Sequence, residues 1–151
     1  MSDCLQEQYA LKSHCFGCGP SNAQGLRVRS FMRGRQLEAE WVGKSQHEAF
    51  DGVVAGGIVA SILDCHANWG AAMFLHGQES VPPCTVTASF TLTLYAPTPS
   101  GQLLRLFARP IELKGRRAVM EAELFVEQML CAKLQGEFVQ VKEGHPAFHR
   151  W

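Results

Sequence analysis

The stretch from residue 56 to residue 75 constrains the fold of this chain more than any other part of the sequence. It contains no Lys, Arg or Glu, and on a helical wheel its large side chains gather on one side. That side comprises Ile58, Val59, Ile62, Leu63, His66, Trp69, Gly70, Met73 and Phe74. The opposite side comprises Gly57, Ala60, Ser61, Asp64, Ala67, Asn68 and Ala71. Neither side suits solvent, so we expect a long helix that is buried on both sides.

Asp64 is the one charged residue of this predicted helix. Carboxylates are rarely buried without a partner or a chemical purpose, and the helical wheel leaves both interpretations open. The first is a hydrogen-bonded structural carboxylate, and the second is a catalytic group in a closed cleft. His66, on the apolar side, is interpreted as a hydrogen-bonded core histidine.

Composition excludes several classes of function. The 14 basic and 14 acidic residues cancel, which leaves no electrostatic footprint for nucleic acid or an anionic membrane. No uninterrupted apolar run reaches the roughly 18 residues of a membrane span. The first residues, MSDCLQEQYALK, lack the basic start and apolar centre of a signal peptide. We therefore expect a cytoplasmic protein with one domain over residues 1–151.

Six cysteines are scattered through the predicted helices and strands, a distribution that favours free thiols in a reducing compartment. Two of them form Cys15-x-x-Cys18 within a loop rich in Gly, Pro and Asn. A metal site needs four ligands, and His14 would add at most a third. A redox motif would open a helix after a strand, which this loop does not. We expect structural thiols in a tight turn and no metal.

The first predicted strands form a hairpin over residues 26–42. Its apolar positions alternate with polar or charged ones; they are Leu26, Val28, Ser30, Leu37, Ala39 and Trp41. A turn at Arg33-Gly34 would place Arg29 opposite Glu38 and Arg27 opposite Glu40, so that opposite charges face each other. Residues 43–55 are interpreted as a loop that leads into the long helix.

Four strands are predicted after the helix. They cover residues 85–95, 103–110, 118–126 and 130–141, with a turn at Lys114-Gly115 and a bulge at Gly136. The basic residues Lys114, Arg116 and Arg117 are interpreted as a solvated turn. Two strands, one long helix and four strands indicate an α+β protein whose antiparallel sheet curls around the helix. The small side of the helix then needs another cover, and a second subunit is the simplest one.

Two motifs carry a resemblance to a known family. The pattern Gly52-x-x-x-Gly56-Gly57, followed by Leu63-Asp64, resembles the signature of hotdog-fold acyl-CoA thioesterases, with the PaaI-like group as the nearest relatives. The segment CFGCGPSNAQGL resembles the opening of some members. The resemblance implies a curved antiparallel sheet wrapped around one central helix. It also implies hydrolysis of an acyl-CoA-type thioester to free acid and CoA, without a cofactor.

The resemblance further implies roles for individual residues. Gly56 matches the glycine whose backbone N–H polarises the thioester carbonyl, and Asp64 matches the helix carboxylate that acts as nucleophile or general base. Substrate-binding positions, by the same comparison, are Ala55, Gly57, Asn68, Thr87 and His47. Ala55 and Ala49 depart from the family, which usually has a polar side chain at both positions, and His47 is near enough in sequence to substitute.

Helix geometry adds a constraint that does not depend on the family. A helix N-terminus presents free N–H groups to a developing oxyanion, and a carboxylate can attack or activate water. Asp64, however, lies eight residues beyond Gly56, about 12 Å along the same helix. An antiparallel partner helix would bring its own Asp64 to this Gly56. We therefore expect a homodimer with shared sites, or a tetramer built from such dimers.

Two further functions stay open at this point. Hydratases and dehydratases of acyl thioesters usually pair a His with a helix acid, and Ala55 removes the likeliest position for that His. A non-catalytic acyl-thioester-binding protein is favoured by the alanines at 49 and 55.

Overall fold

The computed structural model describes residues 3–151. The elements are α1 (Leu5–Tyr9), β1 (Phe31–Arg33), β2 (Gln36–Val42), a 3-10 turn (Ser45–His47), β3 (Glu48–Phe50), β4 (Val53–Val54), α2 (Gly56–Leu75), β5 (Thr85–Leu94), β6 (Leu103–Lys114), β7 (Arg117–Val126) and β8 (Met129–Gln140). Six strands form one antiparallel sheet in the order β1-β2-β6-β7-β8-β5, and β3 pairs with β4 separately.

Helix α2 packs against this sheet, as the sequence predicts. The strands turn alternate apolar residues toward the helix, and those of β2, β6 and β7 are almost fully buried. They are Leu37, Ala39, Trp41, Leu104, Leu106, Ala108, Ala118, Met120, Ala122 and Leu124. The α+β class and the sheet wrapped around one long helix are confirmed.

The length and apolar character of α2 also match those of a membrane span, with a mean hydropathy of 1.3. More than half of that window, 56%, is buried inside the protein. The sheet therefore accounts for the apolar residues of α2, which is the core helix of this fold.

The two sides of α2 differ in how completely this chain covers them. On the apolar side Val59, Ile62 and Trp69 are buried, as predicted. The small side is buried only in its second half. In its first half Gly57 is exposed and Asp64 is half-buried. The prediction of burial on both sides thus holds within one chain for the C-terminal half of the helix.

The register predicted for the first hairpin is wrong by two residues. Arg33 pairs with Gln36 and Phe31 pairs with Glu38, so the loop is Gly34-Arg35. Gly34 has φ +63°, and two-residue hairpin loops that begin with glycine need this positive φ at their first position. The predicted turn put glycine second. Arg29 instead forms an ion pair with Glu7 at 2.8 Å.

Residues 26–30 are not a strand of the sheet, although the sequence predicts one. The N–H of Leu26 donates to the carbonyl of Phe16 at 2.8 Å, and that of Val28 donates to Gly17 at 3.0 Å. Their burial alternates as predicted, but Leu26 and Val28 bond to the loop that contains the cysteine pair, and the backbone of Ser30 bonds to residues of α1. Arg27, with φ +57°, interrupts the extended conformation.

Three later predictions also need correction. The predicted loop 43–55 contains the 3-10 turn and the β3–β4 hairpin, whose strands are too short to show a period in sequence. Strand β6 continues beyond Pro110 because the register shifts between Pro110 and Glu112. Gly136 is not a bulge, since it pairs in regular register with Phe90 and Met120.

The positions of one turn and of the predicted bulge are corrected. The turn predicted at Lys114-Gly115 is shifted by one residue, because Lys114 pairs with Arg117 across Gly115-Arg116. At the start of β5, the register between β5 and β8 shifts between Thr87 and Ser89. The irregularity predicted for β8 therefore lies opposite β8, in the strand that carries Thr87.

Candidate active site

The N-terminus of α2 presents two free backbone donors. Ala55 is the N-cap, in extended conformation, and Gly56 and Gly57 are the first two helical residues. The N–H of Ala55 donates to the carbonyl of His47 at 2.8 Å, and that of Ile58 donates to Ala55 at 3.0 Å. Within residues 3–151 the N–H groups of Gly56 and Gly57 have no acceptor. These donors, at the positive end of the helix dipole, favour a bound oxyanion.

An apolar cavity of about 330 Å³ lies beside Gly56. It is open to solvent and is lined by the β3–β4 hairpin, the end of β5 and the segment that follows β5. Its wall includes Ala49, Phe50, Val54, Gly56, Leu94 and Tyr95. A cavity of this size and character suits the apolar part of a small ligand.

Asp64 and Thr87 meet on the small side of the helix. The hydroxyl of Thr87 donates to Asp64 Oδ1 at 2.7 Å, so two residues selected from the sequence are in contact. Burial raises the pKa of Asp64, and the hydrogen bond from Thr87 opposes part of that rise. The negative charge of Cys15 also raises this pKa, and the Arg150 guanidinium lowers it. A half-buried carboxylate with a raised pKa is suited to take up a proton.

Asn68 follows Asp64 by one helical turn, but it is almost fully buried. Its side-chain amide donates to the carbonyl of Thr85 at 3.3 Å, and the hydroxyl of Thr85 donates to the carbonyl of Asn68 at 3.2 Å. These bonds attach the first residue of β5 to α2. Since Thr87 lies two residues further along β5, they also fix the distance between Thr87 and Asp64.

The side chain of His47 lies away from the cavity beside Gly56. Its Nδ1 accepts the backbone N–H of Lys44 at 3.0 Å, and its ring packs against that of Trp41 with centroids 5.1 Å apart. The imidazole lines a different cavity. Its backbone carbonyl, bonded to Ala55, is the part of His47 that contacts the start of α2.

Cys65 is a residue that the sequence did not single out. Its sulfur lies 3.8 Å from that of Cys15, and the sulfurs of Cys15, Cys18 and Cys65 all lie within 4.8 Å of one another. The turn that carries Cys15 and Cys18 packs across α2 next to Asp64. Cys65 is 47 residues beyond Cys18 in sequence, so no local spacing indicates the cluster.

Comparison with known proteins places this geometry in a family. The sequence model of the thioesterase superfamily matches residues 51–133, which include the start of α2, Asp64 and Thr87. The chain belongs to the thioesterase superfamily. Its general activity is therefore that of a hydrolase acting on thioesters. A search of curated protein sequences finds no match to this chain.

Solved structures of several other proteins are similar over most of the chain. A thioesterase superfamily protein from Shewanella loihica PV-4 is 33% identical, with a TM-score of 0.68 over 87% of this chain and 96% of its own. A thioesterase from Haemophilus influenzae is 18% identical, with a TM-score of 0.69 over 80% and 84%. The PaaI protein from the phenylacetic acid degradation operon of Escherichia coli is 15% identical, with a TM-score of 0.66 over 78% and 81%. The last two show that the fold is the hotdog fold.

Proposed function

We propose that this protein hydrolyses an acyl-CoA-type thioester to the free acid and CoA, in active sites shared between two subunits. The observation that carries the proposal is the pairing of a half-buried carboxylate with unused N–H donors on one helix. Asp64 is held by Thr87 at 2.7 Å, and the N–H groups of Gly56 and Gly57 are free within the described residues. Membership in the thioesterase superfamily supports the reaction class.

The N–H groups of Gly56 and Gly57 are the proposed oxyanion donors. The thioester carbonyl oxygen would accept from them, and the helix dipole would stabilise the charge that forms as the carbonyl carbon becomes tetrahedral. Ala55, with its small side chain, leaves the donors accessible. Because neither Ala49 nor Ala55 offers a polar side chain, the backbone alone would polarise the carbonyl.

Asp64 is the proposed general base. It would take a proton from water while the water oxygen attacks the carbonyl carbon, and the collapse of the tetrahedral intermediate would expel the CoA thiolate. A direct attack by the carboxylate, which forms an anhydride that water then opens, uses the same residue. Thr87 holds one carboxylate oxygen, and Asn68 holds β5, the strand that carries Thr87.

A single chain cannot bring these groups together, because about 12 Å of helix separates Gly56 from Asp64. Strand β5 supplies a surface for a second copy. It is at the end of the sheet order, and the exposed fractions of Phe90, Leu94 and Tyr95 are 42%, 53% and 56%. Antiparallel pairing of two β5 edges about a twofold axis would set the two α2 helices antiparallel on the same side of the sheet. Each Gly56 would then face the Asp64 of the other subunit.

The cavity beside Gly56 is the proposed acyl pocket. It is lined by apolar side chains such as Phe50, Val54 and Leu94, and it opens next to the oxyanion donors. Its volume of about 330 Å³ fits a small or medium acyl group. Leu94 also belongs to the exposed part of β5, so dimer formation would help to close the pocket.

The activity is tested with a panel of acyl-CoAs of increasing chain length, together with an aromatic acyl-CoA, and a reagent that reports free thiol. We expect thiol release well above the rate without protein for at least one member. Tight binding without thiol release would make the protein an acyl-thioester-binding protein. If an enoyl-CoA included in the panel loses its absorbance without thiol release, the protein would be a hydratase. Either result would overturn the proposal.

A further inference from the structure

The three sulfurs of Cys15, Cys18 and Cys65 converge on one point beside α2. They lie within 4.8 Å of one another, and the distance between Cys15 and Cys65 is 3.8 Å. A tetrahedral zinc ion with Zn–S bonds of about 2.3 Å holds its sulfurs about 3.8 Å apart. The Cys15–Cys65 distance equals this value, and the other two distances exceed it by at most about 1 Å, so the three sulfurs lie near three corners of such a site.

Gly17 allows the turn with Cys15 and Cys18 to pack close to Cys65. A Cβ at Gly17 would overlap the sulfur of Cys65 and would lie 3.4 Å from the carbonyl of Ser61. Only glycine therefore allows the turn to sit against α2 at this point. Cys18 is almost fully buried, whereas Cys15 and Cys65 are half-buried, so the cluster has one open side.

A disulfide does not account for the arrangement, because it joins two sulfurs and this fold brings three together. A metal ion uses all three. Thiolates are the form of cysteine that binds metals.

We propose that Cys15, Cys18 and Cys65 bind one zinc ion, or a similarly thiophilic divalent ion. Within residues 3–151 no fourth His, Cys, Asp or Glu joins the cluster, so water or a small solute completes the coordination from the open side. Binding releases the thiol protons to solvent. The expectation of metal-free thiols rested on a shortage of ligands near residues 15 and 18, and Cys65 removes that shortage.

The ion would attach the N-terminal loop to the helix that carries Asp64. Cys65 is the next residue after Asp64, and Cys15 lies 50 residues earlier in the chain. The loop that contains Cys15 and Cys18 makes few backbone hydrogen bonds to the sheet. A crosslink between residues 50 positions apart strongly reduces the conformational freedom of the unfolded chain. The ion is proposed as a crosslink, and it takes no part in the bond-breaking steps of the proposed hydrolysis.

The test is metal analysis of full-length protein purified without chelators or immobilised metal. We expect about one equivalent of zinc per chain in the wild type and at least tenfold less in Cys15→Ser and Cys65→Ser. Cys84→Ser, which changes a cysteine outside the cluster, is the matched control and keeps its zinc. Gly17→Ala loses zinc although every ligand remains, whereas Gly77→Ala, at a site with open space, does not.

A second measurement does not depend on the folding of the variants. Metal-depleted wild-type protein is titrated with Co²⁺, and a saturable thiolate-to-cobalt charge-transfer band at about one equivalent is expected. Wild-type protein that carries less than about a tenth of an equivalent of zinc and gives no such band would overturn the proposal. Fewer than six titratable thiols after denaturation of the metal-free protein would assign the cluster to disulfide chemistry instead, which would also overturn it.

Discussion

Asp64 and His66 lie two residues apart on the same helix, and their surroundings are opposite. His66 is fully buried, its Nδ1 accepts from the hydroxyl of Ser30 at 2.8 Å, and its Nε2–H donates to the carbonyl of Leu37 at 3.2 Å. Asp64 is half-buried and, within residues 3–151, has one side-chain hydrogen bond, from Thr87. Both nitrogens of His66 are satisfied, whereas the second oxygen of Asp64 has no partner among the described residues and lies on a side that this chain leaves partly open.

The difference separates structural polar groups from those available for chemistry. Burial lowers the pKa of His66 to about 4, so the ring is neutral at physiological pH and each nitrogen has a fixed role. Gln6 extends the network, since its side chain bonds both the backbone N–H and the hydroxyl of Ser30. A group held this completely has no capacity to act on a substrate. Burial also raises the pKa of Asp64, but its open oxygen can still reach water or substrate.

The largest effect is expected from Asp64→Asn. This nearly isosteric change keeps the hydrogen bond from Thr87 possible but removes the base, so thioesterase activity should fall at least a hundredfold while the unfolding midpoint stays close to that of the wild type. Steady-state kinetics and thermal unfolding measure the two effects. Asp3→Asn, at an exposed position, is the matched control and keeps full activity.

His66→Ala should lower the stability of the protein and leave its activity nearly unchanged. It leaves the Ser30 hydroxyl and the Leu37 carbonyl with unmet hydrogen bonds and opens a cavity in the core, at a cost of about 2–4 kcal/mol in the free energy of unfolding. Denaturant titration measures this cost. The activity per folded molecule at low temperature should stay within a few-fold of the wild type. A hundredfold loss in fully folded protein would show that His66 takes part in the chemistry.

The pKa of His66 also predicts how stability depends on pH. The unfolded chain protonates this residue near pH 6.5, and the folded chain does so near pH 4. Between these values the unfolded state binds more protons, so stability falls as the pH is lowered, by about 3 kcal/mol in all from this group. Denaturant titrations from pH 7 to pH 4 should show a shallower decline in His66→Gln. Equal slopes for the two proteins would contradict the assignment.

The smallest effect is expected at Thr87. Thr87→Val keeps the shape of the side chain but removes the hydrogen bond to Asp64, so the pKa of Asp64 should rise and the acid limb of the pH–rate profile should move to higher pH. Loss of a hydrogen bond worth about 1 kcal/mol implies a several-fold drop in activity. Thr87→Ser keeps the hydroxyl and should restore the wild-type profile. A profile that is unchanged in Thr87→Val would show that this bond does not tune Asp64.

The sequence predicts the elements whose hydrophobic pattern continues over many residues, and it misses the features that depend on a single residue. The bounds of α2 follow from its 20-residue pattern, and β5 and β7 follow from their strict alternation. The first hairpin is misplaced because its register depends on one positive φ at Gly34. Residues 26–30 alternate like a strand, yet their partner is a loop, and burial pattern alone does not reveal the partner.

The candidate site shows the same division. Asp64, Gly56 and Gly57 can be recognised in the sequence because a charged residue and paired glycines are unusual in a buried helix. Thr87 contacts Asp64 because alternate residues at the start of β5 face α2. Cys65 does not stand out, since a lone cysteine on a buried helix resembles a small apolar residue. The proposed role of Cys65 depends on its contact with residues 15 and 18, which forms only in the folded chain.

The shared active site is tested most directly by combining two inactive variants in one dimer. Gly56→Pro removes one N–H donor at the first position of α2, where proline is tolerated, and Ala55 before it already has ψ 139°. Gly56→Pro and Asp64→Asn chains with different tags are coexpressed, and heterodimers are isolated by two successive affinity steps. Each heterodimer rebuilds one intact site, so about half of the wild-type activity per dimer is expected, although each parent is nearly inactive. Folded heterodimers no more active than their parents would contradict an active site that joins Gly56 of one subunit to Asp64 of the other.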